Sequence, residues 1–163
     1  MTLAHRIKEN AQPATLIALL NQLLANTIDC KLSVKQAHWN VRGANFIALH
    51  ELFDKVSGQI DEHADMLAER AAQLGGTALG DLATVAEQSV LPAYPNDIHE
   101  GFDHVRALSS RIGLLADTHR QAINTAANMG DAVTADILTH TTRELDKIHW
   151  FIRSHINGYS NWL

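Results

Sequence analysis

The chain holds a single cysteine, Cys30, so no internal disulfide can form and a reducing cytosol is the expected compartment. Cys30 lies among apolar residues at helical spacing and reads as an inert core thiol. Only three prolines and 6% aromatic residues occur in 163, which suits helices better than a β sandwich. The longest apolar runs, such as Leu16-Ile17-Ala18-Leu19-Leu20, are too short to span a bilayer. No cationic segment with a following apolar stretch opens the chain, so no secretory signal is expected. There is no excess of positive charge either. Net charge is −5, and no basic stripe of the kind that binds nucleic acid is visible.

What is present is 46% hydrophobic and 19% charged residues, the balance of a globular chain. The length fits one domain over 1–163, with short tails at 1–12 and 158–163. Pro13 suits the first turn of a helix that runs to about Asn40 and stops at Arg42-Gly43. A second helix is predicted from about Asn45 to Leu74-Gly75-Gly76, where glycine ends it. Residues 77–95 form a long connection in which 81–88 can be a short extra helix. Asp97-Ile98-His99-Glu100 has capping-box spacing and should open the third long helix, closed by Asn128-Met129-Gly130. The fourth runs from about Asp131 to Asn157 and stops at Gly158. Two long helical hairpins joined by a midchain crossover make an all-α, ferritin-like four-helix bundle.

The unusual total is ten histidines, and only their spacing can argue for chemistry. His50 and Asp54 are four residues apart, as are Asp65 and Glu69. At about 100° per residue these positions fall at about 0°, 40°, 60° and 100°, a single polar stripe. Yet Asp54 and Asp65 stand roughly 16 Å apart along the axis. Metal–ligand bonds of about 2 Å cannot join them within one chain. An antiparallel copy resolves this. With a two-fold axis between Gln59 and Ile60, beside Ser57 and Gly58, the His50/Asp54 pair of one chain faces the Asp65/Glu69 pair of the other. His38 is placed to add a second nitrogen. Two imidazoles and three carboxylates with open positions suit iron that must meet an oxidant. Each pair taken singly is an ordinary solvated helix pair.

The segments Lys35-Gln36-Ala37-His38-Trp39-Asn40, Arg42-Gly43-Ala44-Asn45-Phe46-Ile47-Ala48-Leu49-His50-Glu51, Asp65-Met66-Leu67-Ala68-Glu69-Arg70-Ala71 and Gln73-Leu74-Gly75-Gly76 closely resemble the Dps family (DNA protection during starvation). So do Tyr94-Pro95-Asn96-Asp97-Ile98-His99 and Thr134-Ala135-Asp136-Ile137-Leu138, and the likeness covers nearly all of 14–157. The resemblance implies a hollow shell of twelve subunits. It implies an Fe(II)-oxidising centre at the dimer interface, mononuclear or di-iron. His38, His50 and Asp54 match the ligands one subunit supplies, and Asp65 and Glu69 those of its partner. It further implies that hydrogen peroxide is preferred to dioxygen and that iron is stored as ferric mineral.

The family's tryptophan beside the iron matches Trp39, whose plainer reading is a core aromatic. Trp150 reads as packing, and His63, roughly 200° round the helix from Asp65, as a non-ligand. Asp136 matches a carboxylate of the acidic pores on the family's three-fold axes. Asp131 is a weaker pore residue, because an acid at a helix start is already explained by the helix dipole. Some relatives bind DNA through lysine-rich tails, so a DNA-compacting, nucleoid-associated protein is the alternative. Here 1–12 carry only Arg6 and Lys8 against Glu9, and the residues after Gly158 carry no charged side chain. Direct DNA binding is therefore disfavoured, although many weak tails on one particle can act by avidity.

Overall fold

A computed structural model describes residues 3–156, with side chains from Pro13 onward. The described residues form five helices: α1 Leu3–Asn40, α2 Phe46–Gln73, α3 Leu82–Gln88, α4 Gly101–Asn128 and α5 Ala132–Arg153. α1 packs along α2 and α4 along α5, and residues between α2 and α4 cross back over α1. No strand occurs among the described residues, and the all-α, crossover-linked bundle is the one expected.

The glycine stops are real, and their geometry gives the cause. Gly75, at φ +85°, donates its N–H to Ala72 O, and Gly76 donates to Ala71 O. Gly130, at φ +77°, donates to Ala127 O, and Asp131 to Ala126 O. In both motifs a left-handed glycine lets the chain turn back on the last carbonyls. α3 starts where Asp81 accepts from Ala83 N and Thr84 N.

Three boundaries differ from expectation. α1 begins at Leu3, with Pro13 inside it. A proline removes one ladder bond and does not by itself begin a helix. The capping box at 97–100 does not form. Arg42 N donates to His99 O, so the backbone there is held in a bridge, and α4 starts only at Gly101 with no side-chain cap from Glu100. Gly101 suits this crossing: a Cβ would stand 2.5 Å from Leu49 Cδ1, so the buried Leu49 side chain would have to shift. α5 ends at Arg153, whereas the expected stop at Asn157 and Gly158 lies outside the described residues.

A polar row on α1 pins the crossover. Asn21 binds Thr77 O and Leu79 N, Gln22 binds Gln88 O, and Asn26 Oδ1 accepts from Val90 N. Asp29 accepts from Ser89 and pairs with the buried guanidinium of Arg111. These bonds satisfy backbone groups that no helix serves, which fixes the long connection against the bundle. Cys30 is fully buried beside this row, and burial pushes its thiol up to about 12. It is the inert core thiol expected.

Candidate metal centre

The α1–α2 hairpin brings His38, in the last turn of α1, against His50, in the first turns of α2. Their rings stack with centroids 3.8 Å apart and planes 22° from parallel. His38 Nδ1 lies 2.8 Å from His50 O, and His50 Nδ1 lies 2.9 Å from His38 O. A carbonyl can only accept, so each Nδ1 carries the proton and donates it. In the neutral ring this tautomer leaves the lone pair on Nε2, the form in which imidazole binds a metal. Phe46 lies against His50 at 5.1 Å.

Asp54 is exposed one turn beyond His50. Lys35 hydrogen-bonds its carboxylate and, with that charge beside it, holds Asp54 below the ordinary carboxylate range. Lys35 lies one turn before His38, and no role for it was read from the sequence. The signal available was its spacing of three residues from a ligand candidate, which places it on the same face.

Asp65 and Glu69 are also exposed, about three and four turns beyond Asp54 along α2. Asp65 lines a groove with Lys31, Asp61 and Glu62. Among the described residues no three His, Cys, Asp or Glu side chains converge to hold a metal ion. One subunit thus joins His38 and His50, sets Asp54 beside them, and leaves Asp65 and Glu69 apart. Of the residues expected around the two-fold axis, Ser57 and Ile60 are buried within the subunit. Gly58 is exposed, with open space where a Cβ would project. Of these four residues only Gly58 and the half-buried Gln59 therefore offer surface outside the subunit.

Trp39 is 67% exposed, which excludes the core reading. Leu32, seven residues earlier on α1, and Ile47 on α2 are exposed as well. Trp150 is half-exposed against Phe151, so it packs less than expected. His63 faces the interior at 3% exposure, away from the carboxylate stripe. Asp131 caps α5, accepting from Thr134 N, and takes both carboxylate oxygens to Arg70 at 2.9 Å. Asp136, one turn on, is exposed. No helix of the described residues is long and apolar enough to cross a membrane.

Comparison with known proteins gives the family. Residues 17–160 match the model of the ferritin-like domain. The chain is 49% identical over 147 residues to the DNA protection during starvation protein of Agrobacterium fabrum, covering 90% of this chain and 91% of that one. Among solved structures, Mycobacterium smegmatis Dps superposes with a TM-score of 0.88 at 29% identity, covering 94% of this chain and 92% of that one. DpsA14 of Streptomyces coelicolor also gives 0.88, at 32% identity over 93% of this chain and 90% of its own. By sequence, by fold and by the helix order that carries the paired histidines, this chain belongs to the Dps family of ferritin-like proteins.

Proposed function

We propose that this protein is a ferroxidase and iron store: it oxidises Fe(II), with hydrogen peroxide as preferred oxidant, and keeps the product as ferric mineral inside a hollow particle of twelve chains. The observation that carries the reading is the stacked, half-buried pair His38 and His50, each committed through Nδ1 to the other's carbonyl, with the carboxylate of Asp54 close enough to feel both rings. Residues 1–163 act as one domain, and two of them, antiparallel across Gly58, complete each centre with Asp65 and Glu69 of the second subunit. Mixed nitrogen and oxygen ligands, with room left over, hold Fe(II) while leaving it open to oxidant. Two Fe(II) ions give up one electron each, peroxide accepts both, and its O–O bond breaks to give two hydroxides. Removing both reactants together prevents hydroxyl radical formation, which would account for the protection of DNA in the Agrobacterium relative's name.

Trp39 stands exposed next to His38, where it can donate an electron to a radical that escapes the centre. We read Asp136 as lining an inlet whose negative field draws Fe(II) inward, with Asp131, whose charge is already paired with Arg70, as the lesser contributor. The deciding experiment measures Fe(II) oxidation by peroxide and by dioxygen, then sizes the particle by light scattering. Faster oxidation with peroxide, in a particle of about twelve chains, is expected. A stable monomer would defeat the shared centre, and a stable dimer the shell alone.

A further inference from the structure

The apolar core is not continuous. One cluster takes Cys30 to Ala37 of α1 with Val41 just beyond it, Leu49 to Ile60 of α2, Val105 to Ala116 of α4 and Leu145 to Ile152 of α5. A second takes Leu16 to Leu24, Ala64 to Ala71, Ala122 to Ala126 and Leu138 from the same four helices. Between them, at one level, every long helix contributes a buried polar side chain: Thr27, His63, His119, and Thr141 with Thr142.

His119 is the centre of this layer and has no exposed surface. Its Nε2 lies 3.3 Å from Thr27 Oγ1, and its Nδ1 lies 2.9 Å from Thr141 Oγ1. Thr27 already donates its hydroxyl proton to Leu23 O at 2.7 Å, so toward His119 it can only accept. His119 therefore carries its proton on Nε2, and Thr141 donates to Nδ1. This set of bonds is complete for the neutral ring. A second proton, on Nδ1, meets a donor, and Thr141 must turn to its longer alternative, Leu138 O at 3.2 Å. The added charge would also have no carboxylate within the layer. α1 presents Thr27, and α2 presents His63. α5 presents Thr141, Thr142 and, nearer the surface, His140 and Glu144, which face His63. Those two are engaged outward, His140 by Arg143 and Glu144 by Lys147.

We infer that His119 is an acid-sensitive latch: while neutral it ties all but α2 together at the junction of the two half-cores, and its protonation loosens the bundle at that level. Burial, with His63 adding to it, depresses the His119 ring to about 3. The folded state thus resists a proton that the unfolded chain accepts near pH 6.5. The stabilising effect is complete above that value and declines as pH falls from about 6.5 toward 3. The ordinary carboxylate range lies below most of this window.

The test is hydrogen–deuterium exchange on the full-length protein at pH 7 and pH 5, corrected for the intrinsic exchange rate. Peptides spanning 24–30, 116–122 and 138–144 should open roughly ten-fold more readily at pH 5, ahead of the segments inside either half-core. His119→Gln, which can keep an amide donor toward Thr27 and an acceptor toward Thr141, should remove the His119 share of that increase and leave the part due to His63, whose ring burial depresses to about 4. Equal opening at both pH values, opening that starts at the bundle ends, or the same increase in His119→Gln would each overturn the inference. Should that variant not fold, the wild-type exchange map decides.

Discussion

His38 and His50 each donate their Nδ1–H to the other's backbone carbonyl, at 2.8 and 2.9 Å, so each imidazole ring is oriented by the other's main chain. Loss of either imidazole should therefore cost oxidation rate with little effect on the fold. His50→Ala leaves its own carbonyl in place and His38 still bonded, so roughly a hundred-fold slower Fe(II) oxidation with unchanged circular dichroism is expected.

The sharing of each centre is tested by mixing. One variant carries His50→Ala and Asp54→Ala, the other Asp65→Ala and Glu69→Ala. Each alone should lose fast oxidation. In a mixed dimer one centre combines both intact halves, so co-assembled particles should regain part of the wild-type rate. Mixed particles, confirmed by mass spectrometry, that show no recovery would place the centre within one chain.

On the proposed reading Lys35 competes with Fe(II) for Asp54, since its ammonium pairs with that carboxylate. Lys35→Met should lower the Fe(II) concentration at half-maximal rate by a few-fold, more at low ionic strength because salt screens the exposed pair. An unchanged saturation curve would mean that the ion pair is irrelevant to loading.

Asp131 and Asp136 should separate cleanly. Asp131 caps α5 and clamps Arg70, so Asp131→Ala should cost about 1–2 kcal/mol and lower Tm by roughly 2–8 °C. Asp136→Asn should leave Tm unchanged while slowing iron uptake and weakening its dependence on salt. Uptake unaltered at low ionic strength would leave Asp136 as an acid that merely complements the helix dipole.

Cys30 is sealed in the core with its thiol pushed up to about 12. Alkylation at pH 8 should be negligible in the native protein and fast in denaturant. Rapid native alkylation would show that the α1–α4 junction opens.

Periodicity and glycine placement determined the helix order in advance, because both act over a turn or two of chain. Gly75 and Gly130 end their helices by local bonds that need nothing from the rest of the molecule. The carboxylate stripe of α2 was legible for the same reason, as a rotation of about 100° per residue puts Asp54 and Asp65 on one face whatever surrounds them. What depends on a second segment was not legible. The start of α4 was displaced from Asp97 to Gly101 by a backbone bridge to Arg42, which lies in a different loop. The exposure of Trp39, the pairing of Lys35 with Asp54 and the mutual hold of His38 and His50 all arise where α1 packs on α2. The polar layer around His119 draws on four helices, so only their packing could put Thr27 and Thr141 within hydrogen-bond reach of one ring.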